Sequence, residues 1–493
     1  MDKQAIADVL LTGSACLVPA LLYAGRRAAP AERSDQKARL IRAWMIVIIV
    51  TLAARTLVGL LILAGVRLWA ANAFYPFRIA SPNYGALRGL PFAAAMIAVA
   101  VLIPRGFAWL SQARLKAVFL WAIAFAVSIL SGAIHGGLIA GNLGIATEAA
   151  RRHDAAINPG LATLFATHVE RILGNVGPPY AAPHSLSHPA GSIAYWQLTQ
   201  KVLPPLGFSM LNAAIFALTF PLLYRTLVKR GSDDRAALGL TLIALFTPGL
   251  LIYGRSDDAI FYFLAFAALA AFVIAVERRS ALMSAIAGAA SVIAANLSYA
   301  FVVLPAIAFS FPFRTKVSLS SLAQHVRRIL PWSLVVLAIL VPGLFLEARL
   351  FAFNYWEGFR ASASSAHAYT FFAILLSGDY VRAFDDRAMT ILDFLLLGGP
   401  AFLLVYIQLA RELRRTSEWP LAPIACFVLF AAIIVQMASA GETARDWGML
   451  FPIMGLCFFP DALRALETQE LLWLARFQLT WSLLLLIPID FGW

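Results

Sequence analysis

The sequence predicts an all-α fold, a polytopic bundle of about 12 to 14 transmembrane helices with interfacial helices in long outward loops. Three observations carry that prediction. Of 493 residues, 61% are hydrophobic and only 13% charged, far from the balance of a soluble domain. The apolar residues gather in runs close to the roughly 20 that cross a bilayer as one helix. The net charge of +13 sits in short Lys and Arg clusters between those runs, a pattern of topology signals rather than of nucleic-acid contact. No nucleic-acid partner is expected.

In chain order, the first run, near 5–24, is too long and too weakly preceded by positive charge for a cleavable signal peptide. It reads as a retained span. With runs near 43–66 and 89–104 it forms an N-terminal extension over 1–113. The main body, 114–460, holds runs near 115–134, 208–227, 236–253, 258–276, 281–312, 330–348, 389–410, 420–438 and 447–460. A last run, 473–490, lies in a C-terminal segment, 461–493. The 281–312 run exceeds one span, and Asn296-Leu297-Ser298 in its middle predicts a tight hairpin of two short helices. Cys16, Cys426 and Cys457 lie inside apolar runs and behave there as small hydrophobes, so neither a disulfide framework nor a cysteine metal site is implied.

Basic clusters fix the orientation. Arg26 to Arg42, then Arg105, Arg114 and Lys116, then Arg225, Lys229, Arg230 and Arg235 follow alternate spans. Arg278 and Arg279, then Arg314, Lys316, Arg327 and Arg328, then Arg411, Arg414 and Arg415 continue the series. The positive-inside rule makes these connections cytoplasmic and their alternates outward. Two outward connections are long, about 135–206 and 349–388, and two are short, 253–258 and 441–447. No internal repeat is visible, which argues against a repeat-built transporter. Charge sits mainly at helix mouths, the exceptions being Arg55, inside the second run, and Asp393, near the start of the 389–410 run.

The chemistry-bearing residues face outward. After a glycine-rich span end (Gly132, Gly136, Gly137, Gly141) come Glu148, Arg151, Arg152, His153 and Asp154, then an amphipathic run over 159–173 suited to the interface. Asp154, flanked by Arg and His, has the type and setting of a general base. Prolines 178, 179, 183 and 189 stiffen the next loop, which presents His184 and His188 for hydrogen bonding to a polar substrate. Their spacing is also that of a zinc pair, but such a pair needs one helical face and a third ligand. No cofactor is therefore expected, and a divalent metal is possible without being indicated. In Arg255-Ser256-Asp257-Asp258 the acids suit a helix N-terminus, a role that leaves Arg255 unexplained; Arg255 and Asp258 are candidate site residues. Arg360, among Tyr355, Trp356 and Phe359, is placed to hold a lipid phosphate. Glu442 and Arg445 in Gly441-Glu442-Thr443-Ala444-Arg445-Asp446-Trp447 are candidate site walls. Plainer readings compete: glycines for packing, aromatics as an interfacial belt, and Glu442 paired with Arg445 on a helix start. There is no Gly-rich phosphate loop, dinucleotide fingerprint or nucleophile elbow.

Over roughly 115–460 this pattern resembles the GT-C superfamily, the membrane-embedded glycosyltransferases that use polyprenyl-phosphate-linked sugars. The carriers are a span followed by an outward loop with Asp154, an interfacial helix, and Ser187-His188-Pro189-Ala190-Gly191, which is similar to the Thr-His-Pro-Pro-Gly motif of some bacterial members. Gly441 to Trp447 is similar to a Gly-Glu-x-x-Arg-x-Trp motif of late helices. Ala190 departs from the second proline, and no Asp-Glu or Asp-Asp pair follows the fourth span, so Asp154, Glu148 and Asp257/Asp258 compete as base. The resemblance implies inverting sugar transfer on the non-cytoplasmic face of the inner (plasma) membrane, with membrane lipid and a glycan, lipid or protein acceptor as partners. Arg445, with Arg360 or Arg255, would hold the leaving phosphate. A lipid or polysaccharide transporter or flippase is the alternative expectation.

Overall fold

In the computed structural model the described residues are 40–47, 81–82, 86–134, 205–256, 258–351, 355–356, 358–360, 370–415, 419–436, 447–463, 466–486 and 489–490, together with 189, 191–192, 195, 199 and 202–203. They form an all-α bundle. A helical stretch at 40–47 and a two-residue strand β1 (Ser81–Pro82) precede α1 (Ala86–Gln112) and α2 (Lys116–Ile134). Then follow α3 (Pro205–Ala217), α4 (Thr219–Lys229), α5 (Asp234–Leu245), α6 (Pro248–Tyr253), α7 (Asp258–Arg278) and α8 (Ala281–Leu297). After a 3-10 turn, Tyr299–Val303, come α9 (Leu304–Ser310), α10 (Leu319–Phe351), α11 (Phe371–Leu376), α12 (Tyr380–Arg415) and α13 (Leu421–Gln436). The chain continues through α14 (Leu450–Cys457), α15 (Phe459–Ala462), α16 (Thr468–Leu486) and strand β2 (Ile489–Asp490), which pairs antiparallel with β1. Among the described residues six helices are long and apolar enough to cross a membrane: Gly89–Gln112, Lys116–Ile134, Leu206–Lys229, Asp258–Arg278, Leu319–Leu346 and Asp393–Arg415.

The anticipated break near Asn296 is present. Ser298 leaves helical geometry (φ −154°, ψ 137°) and its side chain accepts from Ala300 N at 3.2 Å, ending α8 and starting the 3-10 turn. The 236–253 run, expected as one span, is instead two helices. Pro248 has no N–H to donate and disfavours helical geometry at the residue before it. Thr247 is accordingly extended (φ −65°, ψ 126°). A second break cuts α12, where Gly399 takes φ 79°, ψ −177° ahead of Pro400, a region open in practice only to glycine.

Both breaks are buried, and one helix repairs them. Gln478 of α16 donates to Gly398 O at 2.6 Å and accepts from Ala401 N at 3.0 Å. Trp481 Nε1 donates to Leu396 O at 2.8 Å, and Ser482 Oγ to Phe246 O at 2.9 Å. Freed backbone groups away from water must find such partners. Helix α16 therefore lies against α1, α5, α6 and α12, and Trp44 packs edge-on against Trp481 at 5.0 Å. Of two buried clusters among the described residues, the larger runs from Leu40 and Trp44 to Leu486.

Among the described residues, the basic connections near 116, 230, 278 and 314 share one face. Lys116 pairs with Asp234 at 2.5 Å, and Tyr224 OH donates to the same carboxylate. Arg230 pairs with Glu277 at 3.0 Å and donates to Leu456 O at 3.2 Å and Pro312 O at 2.6 Å; Arg314 pairs with Asp461. Partial burial raises the Asp234 carboxyl, but the hydrogen bonds from Lys116 and Tyr224 outweigh it and hold the group below its ordinary value. The first residues of α7 and the last of α2 and α6 consequently lie at the opposite end.

Candidate functional site

At that opposite end the structure places Arg255, fully buried, in the turn between α6 and α7. Its Nη1 donates to Leu251 O at 3.1 Å and lies 3.3 Å from Ser131 Oγ. Ser131 Oγ is itself within 2.7 Å of Leu251 O. The guanidinium stem lies on Gly132, where an added Cβ would fall 2.8 Å from both Cδ and Nε of Arg255. The absence of a side chain at 132 thus opens the slot that holds the arginine. Asn212 Nδ2 donates to Arg255 O at 3.4 Å, and Asn212 Oδ1 accepts from Tyr195 OH at 2.7 Å. The result is a polar chain from Tyr195 through Asn212 to Arg255 and Ser131, drawn from four separate stretches of sequence.

A charge sealed from water is strongly disfavoured unless hydrogen-bonded and paired. Inside apolar helices such a cation acts at low local dielectric, so its field on a nearby anion is larger than in water. The neighbouring elements shape the same end. Asp258, half-buried, opens α7; one turn on, Tyr262 packs against Gly448, where a Cβ would fall 2.5 Å from its ring Cζ. Trp447, the last residue of the late motif, adjoins that contact and is half-buried. Gly191, which closes the Ser187-to-Gly191 motif, meets α8, a Cβ there falling 2.5 Å from Asn296 O. Pro189 is buried, and its carbonyl accepts from Ser192 Oγ at 2.8 Å. Tyr299 packs on Tyr355 at 5.6 Å and on Phe359 at 6.1 Å, bringing these two residues to the same end.

No family model, curated protein or solved structure matches this chain.

Of the residues singled out from sequence, Arg255 and Asp258 lie together at the α6–α7 turn. Arg255 is enclosed in the bundle rather than set at an open helix mouth. Arg360 is exposed, next to Phe359. Asp154, His184, His188, Glu442 and Arg445 lie outside the described residues, as do Glu148, Asp257 and Arg55. Asp393 is fully buried on α12, with Thr390 and Arg387 at helical spacing on the same face; Arg387 Nη1 donates to Ile434 O at 2.7 Å. Asn212 and Ser131 were missed. The signal for Asn212 is its lone amide inside Met210-Leu211-Asn212-Ala213-Ala214, a polar group that an apolar helix holds only against a partner. Among the described residues no three His, Cys, Asp or Glu side chains converge as a metal centre would need.

Proposed function

We propose that this chain is an integral membrane glycosyltransferase. It moves a sugar from a polyprenyl-phosphate-linked donor to an acceptor on the non-cytoplasmic face of the inner membrane. The observation that carries this reading is the buried, preset guanidinium of Arg255 at the end of the bundle opposite the basic connections. Fixed cations aimed at developing negative charge are the largest single contribution that such a site makes to rate. In the proposed step Asp154 takes the proton from an acceptor hydroxyl, whose oxygen attacks the anomeric carbon. The bond from that carbon to phosphate oxygen breaks with inversion, and polyprenyl phosphate leaves with the electron pair. Arg255, with Arg445 and Arg360, balances the charge gathering on phosphate. Glu442, His184 and His188 hold sugar hydroxyls, and Asp258 orients the edge of the site. The reaction needs no redox partner.

The test is transfer of labelled sugar from a polyprenyl-phosphate donor fraction to endogenous acceptors in inverted and right-side-out vesicles. Arg255→Gln should lower transfer by about 10²–10³-fold with melting in detergent little changed, and Asp154→Asn should abolish it. Full activity in Asp154→Asn would remove the base assignment; full activity in Arg255→Gln would remove the phosphate-clamp reading.

A second reading, a lipid or polysaccharide transporter, draws on the Arg387, Thr390 and Asp393 face and on the two interrupted helices meeting within the bundle. It requires movement of labelled lipid between leaflets without transfer, lost in Asp393→Asn.

A further inference from the structure

A separate site lies at the basic end. Helices α7, α8 and α10 and the segment from the 3-10 turn through α9 surround an apolar cavity of about 230 Å³, walled by Phe272, Ala287, Ser291, Ala308, Phe309 and Leu337. One helical turn nearer the basic face it abuts a wider cup of about 960 Å³ lined by Arg279, Arg314, Lys316, His325, Arg327 and Arg328, with Glu277 as its one acidic residue. Glu277 is engaged by Arg230, and Arg314 by Asp461. Neighbouring residues of the same helices line the two chambers: Phe272 faces the cavity and Val276 the cup on α7, while Ile329 and Ser333 alternate with Arg328 and Trp332 on α10. His325, bonded to Phe309 O at 2.7 Å, stands at the junction.

We infer that this is a binding site for an anionic phospholipid, its phosphate headgroup in the cationic cup and an acyl chain in the cavity. Charge complementarity selects the headgroup, because after the two ion pairs the cup retains Arg279, Arg327 and Arg328, all exposed. The level suits it too: Arg327 and Arg328 directly precede the apolar stretch of α10, whose membrane-length portion is only 6% buried within the protein, and Trp332 lies at the boundary where such rings sit. Arg279 adds a backbone observation. It directly follows α7 with φ 53°, a left-handed conformation where glycine is the ordinary choice, and its side chain lines the cup. A soluble phosphate would use the cup alone; the adjoining apolar chamber is what a lipid adds.

The experiment uses full-length protein in neutral detergent, with melting followed against added dioctanoyl phosphatidylglycerol, dioctanoyl phosphatidylcholine or inorganic phosphate. Phosphatidylglycerol should raise the melting temperature saturably and the other two should not. Arg279→Asn, Arg327→Gln and Arg328→Gln change exposed residues and should leave the lipid-free melt intact. Each should weaken the response about fivefold, roughly a hundredfold together. Ala308→Phe, and separately Leu337→Trp from the facing wall, should fill the cavity and reduce the phosphatidylglycerol response. An equal response to phosphatidylcholine, or no loss in the triple variant, overturns the site. An equal response to inorganic phosphate, or an unchanged response in both cavity variants, overturns the lipid assignment.

Discussion

Arg255 owes its position to a residue 123 places earlier that has no side chain. A methyl at Gly132 would overlap the arginine stem, so Gly132→Ala should push the guanidinium out of its slot. Transfer should fall about tenfold for a displacement on the order of an ångström, with a smaller change in melting, and steady-state transfer assays on the two variants beside Arg255→Lys measure it. If Gly132→Ala proves as active as the parent, the slot does not set the geometry of the cation. Arg255 and Asp258 were legible in the sequence because charge next to apolar runs stands out by type alone. Asn212, Ser131 and Gln478 were not, since one amide or hydroxyl scarcely alters the hydropathy of a span, and its partner lies on another helix.

At the scale of elements, hydropathy finds apolar length but is blind to interruptions. Thr247-Pro248 and Gly398-Gly399-Pro400 are plain breaking signals, yet each sits inside a run that reads as one span. The single-helix expectation over 236–253 failed for that reason. The break at Asn296 to Ser298 was legible because two polar residues accompany it. Repair of the breaks from α16 gives a stability prediction. Gln478→Leu leaves Gly398 O and Ala401 N buried without this partner, and should cost on the order of 2–5 kcal/mol. Gly399→Ala combines a φ of 79° with a Cβ 2.7 Å from the Gln478 amide and should cost about 2–4 kcal/mol. Thermal melting in detergent reads both, and parent-like melts would mean the contacts are not needed. The α2–α5 tie has its own pH signature. Because Asp234 is held below its ordinary value, its contribution is present at neutral pH and disappears as pH falls through the lowered value. The parent should therefore melt above Asp234→Asn at pH 7, an advantage that begins to shrink only once pH falls below the ordinary carboxylate value of about 4 and is lost at more acid pH.

For the whole molecule, alternation of basic clusters was enough to infer that the connections sort onto two faces. The ion pairs joining Lys116, Arg230 and Arg314 to distant acids bring the basic ones together. The prediction is one of access: in a background lacking the native cysteines, a cysteine at exposed Arg235 and one at exposed Trp356 should react with an impermeant thiol reagent from opposite sides of intact membranes. Labelling of both from one side would dismantle the two-face scheme. What composition did not reveal is that stretches about 400 residues apart join one core, through Trp44 on Trp481 and β1 on β2. Contacts between distant apolar residues leave no mark on either stretch alone.

The repairing helix also imposes an order in time. The backbone break in α12 is made 77 residues before the glutamine that satisfies it, so at 5–20 residues per second the ribosome leaves it open for roughly 4–15 s. During that interval water, lipid headgroups or an insertion chaperone must shelter the exposed amide and carbonyl. A chain stopped before Thr468 would keep all six of the described membrane-length helices and never close the wound. Its expected fate is clearance by quality-control proteolysis, to be read as a half-life in pulse-chase shorter than that of the full chain.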